Sequence, residues 1–374
     1  CPPRCLPPPR GRTTSTTPSA PAYILRRAAG GGARHNSSFL IPHFCKQFYI
    51  LKGNYMSNQT NRPTEKFRTS VGGQALMEGI MMRGPEKIAC AVRRPDGTID
   101  LTSEPVHTRW YNKVPLLRGV CNMVQNLVTG YKYLSHSADI ALTEEEQEAE
   151  QTKFDRWVEE HTGPRFQSFL MAAAALLGVA LAVFLFLFLP TFFTGLLGRF
   201  IALGRWPRVI LEALIKLALF LCYMALVSRT REIHRMFQYH GAEHKTIACY
   251  EAGLPLTVEN IRTCTRFHPR CGTSFLILVL LISIVLYAVL PWTSTGLRVL
   301  YKLAMLPLLV GISYEALKWA GRSHSPLARA VAQPGLWLQR LTVFEPEDDM
   351  IEIAIAAVTP VLPATPEQAA WGHD

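Results

Sequence analysis

The sequence predicts an α-helical multipass membrane protein with about four transmembrane helices and a small α+β cytoplasmic domain towards its amino terminus. Three observations predict it. Hydrophobic residues make up 49% of the 374 residues and charged residues only 18%, and the apolar residues come in long blocks. Lys and Arg crowd into one of the short connections between those blocks and are sparse in the others. A glycine-punctuated segment with a hairpin signature precedes the first block.

Residues 1–67 read as a disordered leader. The opening CPPRCLPPPRGRTTSTTPSAP is dominated by Pro, Arg, Ser and Thr and lacks the apolar content to bury a core. Met56 begins MSNQTNRPTEKF, which reads as a soluble amino terminus and is the expected true start. Residues 1–55 are then upstream sequence translated in error, with an Arg-rich, acid-free transit peptide as the alternative. The formal net charge of +11 belongs to this leader: residues 1–64 hold nine Lys or Arg and no Asp or Glu, and without them +2 remains. The basicity therefore points to no nucleic-acid partner. Nine scattered cysteines, an odd number, give no disulfide framework and fit a reducing compartment.

Residues 68–106 form a small β-rich cytoplasmic unit. A Pro95-Asp96-Gly97 turn separates Ile88–Arg93 from Thr98–Thr102, and the flanking glycines mark further turns. Glu78, set among Met77, Ile80, Met81 and Met82, is a candidate catalytic carboxylate; the plainer reading is an exposed turn carboxylate. Residues 107–167 comprise an amphipathic helix and an acidic linker. Val114, Leu117, Val120, Val124, Leu127, Tyr131 and Leu134 recur at helical spacing, for packing on the β unit or on the membrane surface. TEEEQEAEQ (Thr143–Gln151) is a solvated run.

Residues 168–320 form the membrane domain, with expected spans at Phe169–Pro190, Val209–Val227, Phe275–Leu290 and Val299–Trp319. Phe192–Leu203 is expected to be the outer connection, and Glu212 and Lys216, at i,i+4, to pair or snorkel. Between the second and third spans lie Arg229, Arg231, Arg235, Lys245, Arg262, Arg266 and Arg270; between the third and fourth lies only Arg298. The connection 229–273 and both termini are therefore placed in the cytoplasm.

That connection concentrates the chemistry, holding four of the eleven histidines and three of the nine cysteines. His240, Glu243 and His244 have H-x-x-E-H spacing. On a helix this sets both imidazoles on one face, where they can ligate one metal ion, with Glu243 beside them as a general base. Ile233–Tyr250 contains no proline, and Gly241 weakens a helix without forbidding it. The third ligand is expected from His268 or Cys271, ahead of Glu251 and Cys264. A basic, His-bearing helix lying on a membrane surface has a similar pattern. Glu315, in the fourth span, is a further candidate ligand or ligand-orienting group, or an interfacial carboxylate paired with Lys318 or Arg322. Residues 321–358 return to soluble sequence, with Trp337 and Arg340 on an interface-lying helix and MIEIAIAAV as a strand or short helix. Residues 359–374 read as a flexible tail.

SVGGQALMEGIMMRGP (Ser70–Pro85), YHGAEHKTIACYE (Tyr239–Glu251), TRFHPRCGTSF (Thr265–Phe275), GISYEALKWAGR (Gly311–Arg322) and PGLWLQRLT (Pro334–Thr342) strongly resemble, in the same order, the YqhQ-like family of bacterial multipass membrane proteins. The resemblance covers about residues 68–358. It implies a bacterial cytoplasmic-membrane location. The family has no assigned function and is often labelled as predicted metal-dependent enzymes. It carries over Glu78, His240, Glu243, His244, His268, Cys271 and Glu315 as site residues.

Two function classes follow. One is a zinc-dependent membrane hydrolase, its site at the cytoplasmic interface and its substrate an anionic lipid or a peptide, drawn in by Lys245, Arg266 and Arg270. The other is a membrane assembly or scaffold protein with a structural metal or none. A transporter ranks third, because the four spans show few buried charges and no internal repeat.

Overall fold

The computed structural model describes residues 67–106, 110–142, 163–202, 204–323 and 325–363. The leader up to residue 66, the acidic run and the tail beyond residue 363 lie outside the described residues.

The β-rich unit is a four-stranded antiparallel meander of β1 (Gly72–Leu76), β2 (Gly79–Arg83), β3 (Lys87–Arg93) and β4 (Ile99–Pro105). Leu76 pairs with Gly79, Ile80 with Ala91 and Cys90 with Thr102. The Pro95-Asp96-Gly97 turn forms as expected: Gly97 takes φ 85°, and the Asp96 carboxylate accepts from the Thr98 N–H at 2.8 Å. Successive side chains of a strand face opposite ways, and both faces of the central strands are covered. Ile80, Met82, Ala89 and Ala91 pack against α5 (Arg231–Glu251) and α11 (Asp348–Val358). Leu76, Met81, Ile88, Cys90 and Val92 pack against Tyr133 of α1 (Leu117–Ala141). The amphipathic helix thus lies on the sheet, and MIEIAIAAV is helical. Its Met350, Ile351, Ile353, Ala354, Ala357 and Val358 are all buried in the core shared with the sheet and α5.

Among the described residues, two helices are long and apolar enough to cross a membrane. The first runs 32 residues, Phe169–Phe200, from α2 (Pro164–Val183) through a π-helical turn (Phe184–Phe188) into α3 (Leu189–Phe200). Phe192–Leu203 is therefore no connection, as far as Phe200. Pro190 lacks the N–H of a regular helix, and the wide turn before it lets the helix continue instead of stopping. The second helix is α4 (Arg205–Val227). A third passage is available if α8 (Thr295–Ala304) and α9 (Leu306–Arg322), bent 48° apart, act as one. The apolar helix α7 (Gly272–Ala288) has 17 residues. The short helix α6 (Val258–Thr263) and the 17-residue helix α10 (Pro326–Thr342), whose Gly335 packs on Ser274 of α7, complete this region.

Glu212 and Lys216 do not pair with each other, and neither reaches a surface. Glu212 meets Arg298 and Lys302 of α8, Lys216 donates to Ser283 of α7 at 3.1 Å, and all four charged groups are buried. Helical spacing made the pair plausible, but partners from a distant element win the carboxylate.

Candidate metal centre

The site is built on α5. Its H-x-x-E-H segment lies in an unbroken helix from Arg231 to Glu251, as the spacing requires. Gly241 is present for a packing reason. A Cβ there would stand 1.9 Å from the Phe344 carbonyl oxygen, so only glycine lets the chain after α10 cross the helix. That crossing matters to the site, because it brings the carbonyl of Thr342 over His240.

The rings of His240 and His244 meet edge to face with centroids 4.4 Å apart, and the Cys271 sulfur closes the group. One donor atom from each of the three lies within 4.8 Å of the others. The His240 Nε2 is 3.1 Å from Cys271 Sγ. Each imidazole is oriented from behind. His240 Nδ1 is 3.0 Å from the Thr342 carbonyl oxygen and His244 Nδ1 is 2.6 Å from that of Arg266. A carbonyl only accepts, so Nδ1 carries a proton in both rings, and Nε2 is the atom of each ring left to offer a lone pair to a metal. This backbone support is the arrangement in which protein imidazoles ligate metal. Cys271 is the N-cap of α7, where the helix terminus favours a thiolate.

Burial raises the Cys271 thiol, but His240 and His244 outweigh it and hold the group well below its ordinary value. Burial likewise opposes charge on His240, yet the Cys271 thiolate raises its pKa to about 9. Glu243 shares their face of the helix and is buried. Burial raises its pKa against the pull of both imidazoles. One oxygen accepts from the Gly73 N–H at 2.9 Å, and the other, Oε2, is buried with no hydrogen-bond partner among the described residues. A carboxylate held at one oxygen and open at the other suits proton transfer.

The remaining predicted site residues stand outside the triad. His268 is displaced from it, its ring 5.6 Å from that of His244. It lies 3.5 Å from Glu251, which also pairs with Arg270. Of the two expected third ligands, Cys271 is the one brought in. Glu78 is held by Arg235, with one contact at 2.6 Å, and by the Tyr239 hydroxyl at 3.0 Å. Glu315 is clamped by both arms of Arg118, one at 2.7 Å from Arg118 Nε, and the charge of Lys318 adds to this pull on the carboxylate. Glu78 and Glu315 each join a separate part of the fold to a helix, away from the three donors. The basic side chains are occupied too: Lys245 and Arg266 by Glu345, Arg270 by Glu251. The carbonyls of Thr342 and Arg266 take part without any side-chain signature, so only the fold reveals them. Gly73, by contrast, is one of the glycines whose sequence signal is close backbone approach: a Cβ there would stand 3.1 Å from the Glu243 carboxyl carbon. Gln339 is a polar residue within an apolar stretch, PGLWLQRL. It clasps the His268 backbone in both directions, at 2.9 and 2.6 Å, and was the one legible hint of this outer layer.

The fold and site define a mostly helical protein with a small sheet domain, long apolar helices and a buried His-His-Cys donor set beside a carboxylate. Residues 114–364 match a family described as "Protein of unknown function (DUF1385)". The chain is also 35% identical over 304 residues to "Uncharacterized protein YqhQ" of Bacillus subtilis (strain 168), covering 79% of this chain and 93% of that protein. The chain belongs to this YqhQ-like family. No solved structure matches it.

Proposed function

We propose that the chain is a four-span protein of a bacterial cytoplasmic membrane, with a zinc-class hydrolytic centre at the cytoplasmic interface. The four spans are the helix Phe169–Phe200, α4, α7 and the bent pair α8–α9. Support for the membrane comes from the Phe169–Phe200 helix, whose apolar window has no part buried inside the protein. A helix apolar all round and left uncovered needs a hydrocarbon solvent. The excess of Lys and Arg in 229–273 orients α5 and both termini to the cytoplasm.

One observation carries the metal reading. Two imidazoles are each fixed at Nδ1 by a backbone carbonyl, and they converge on one sulfur beside a carboxylate whose second oxygen has no partner among the described residues. Three protein ligands leave a tetrahedral ion one open position. A bound divalent ion would supply Lewis acidity and make a water acidic near neutral pH. Glu243, anchored at Oε1 by the Gly73 N–H, would be the group to take up a proton there at Oε2. Lys245, Arg266 and Arg270 are already paired, so an anionic lipid or peptide substrate must displace Glu345 or Glu251 to use them.

A second reading is favoured by burial. His244 is 1% exposed, Cys271 6% and Glu243 5%, which suits a structural ion that pins α5 to α7 in a non-catalytic assembly protein. Elemental analysis of detergent-purified full-length protein tests the metal. One zinc-class ion per chain is expected in the wild type and in Glu243→Gln, and none in His244→Ala. A wild type that neither contains nor takes up the ion sinks both readings. Ester, phosphodiester and peptide reporters then separate them. Turnover lost in Glu243→Gln with metal retained supports the hydrolase. A silent Glu243→Gln beside destabilised His and Cys variants supports the structural ion.

A further inference from the structure

The far end of α7 from Cys271 holds a second polar cluster, in apolar surroundings. Glu212 and Lys216 of α4, Arg298 and Lys302 of α8, and Thr191 of α3 meet there, none more than 7% exposed. The Glu212 carboxylate is fully used. It accepts from Arg298 at 3.1 Å, from Thr191 at 2.9 Å and from Lys302, which also reaches Thr191 at 2.6 Å. Arg298 further donates to the Leu290 and Pro291 carbonyls and lies over the Trp292 ring, 3.8 Å from its centroid.

Charge is not balanced here. Three cations face one carboxylate, an excess of two positive charges among the described residues. Among the described residues, Lys216 has the Ser283 hydroxyl at 3.1 Å and the Tyr287 ring at 4.9 Å as its partners. That hydroxyl already donates to the Leu280 carbonyl, so it serves as acceptor for the amine. Arg298 Nε is buried with no hydrogen-bond partner among the described residues. A desolvated cation is costly unless an opposite charge offsets it. Glu212, Lys216, Ser283, Tyr287 and Arg298 also line a small cavity of about 10 Å³. That is about the room that one small spherical occupant needs.

We propose that this cavity binds a single halide ion, chloride in the cell, held by the free N–H groups of Lys216 and by Arg298 Nε–H. The ion neutralises part of the excess charge and ties α4 to α7 and α8. Glu212 borders the cavity, but its oxygens already accept from three donors, so its charge is spent on Arg298 and Lys302. The inference is independent of the metal centre.

Thermal unfolding of detergent-purified full-length protein tests it, with gluconate exchanged stepwise for chloride at constant ionic strength. A ligand of the folded state raises Tm in a saturating manner. The wild type is expected to show that upward shift. Lys216→Met, similar in length and uncharged, should lose the shift and be the more stable of the two in gluconate. Ser283→Ala, which keeps the charge and removes the group orienting the amine, should move the chloride midpoint and so serves if Lys216→Met does not fold. A bromide anomalous peak between Lys216 and Arg298 would place the ion. A wild-type Tm indifferent to chloride means a neutral amine or a water in the cavity and overturns the proposal. So does an undiminished shift in Lys216→Met or an unchanged midpoint in Ser283→Ala.

Discussion

Cys271 owes its character to three neighbours: the first turn of α7, the imidazole of His240 at 3.1 Å, and His244. A thiolate held this way is nucleophilic when no metal binds it and protected when one does. Site-resolved iodoacetamide labelling should therefore modify Cys271 in chelator-treated protein and spare it after zinc is restored, with half-buried Cys121 of α1, outside the proposed spans, as the internal control. Equal labelling of Cys271 in both states would count against it as a ligand. Glu78 illustrates a different use of a carboxylate. Its φ of 47° is unusual for a residue other than glycine, and Arg235 and Tyr239 hold it there. Burial opposes its charge, but Arg235 and Tyr239 keep the carboxyl below its ordinary 4.5. A lowered folded value means the ion pair contributes fully above about pH 4.5 and fades as the pH falls through the folded value. Chemical denaturation between pH 7 and pH 3 should show wild-type stability dropping more steeply across that window than Glu78→Gln. Parallel curves would assign the pair no net stability.

The helix α5 is where sequence and structure agree most closely, and where they part. The H-x-x-E-H spacing and the absence of proline made both the helix and its two imidazoles legible. The third ligand was not legible, because His268 and Cys271 stand only three residues apart. The choice is made by Glu251 and Arg270, which draw His268 aside. Gly241 read as a weak point, since its use depends on a backbone oxygen about a hundred residues further along. Gly241→Ala is expected to lower stability by about 1–3 kcal/mol, or more if the 342–346 segment cannot shift, and to loosen metal binding by moving the Thr342 carbonyl. Stability by urea titration and zinc content on the same sample would check both. In α11 the run MIEIAIAAV alternates well enough for a strand. It folds as a helix because the sheet, α5 and the Asp348–Asp349 first turn leave it two apolar faces to bury. Ile353, 0% exposed in that core, should cost roughly 2–5 kcal/mol when truncated to Ala.

At the scale of the molecule, the proposed topology puts the α7–α8 connection outside and the segment between α10 and α11 inside. Thr293→Cys should react with a membrane-impermeant maleimide on intact cells, and Glu347→Cys only after permeabilisation; both positions are exposed. The reverse pattern would invert the protein. Composition and charge revealed the apolar blocks, but where each helix stops depends on local geometry such as the wide turn before Pro190. That turn has a consequence for the lipid. A helix of 32 residues is about 48 Å long at ~1.5 Å per residue, against a hydrocarbon layer of about 30 Å. Standing upright it would overshoot by several turns, so it must lean, bend or thicken the bilayer around it. Reconstitution in vesicles of increasing acyl-chain length then becomes a gauge of this one helix. Thicker bilayers should relieve the mismatch, and short-chain lipids should be the least comfortable host.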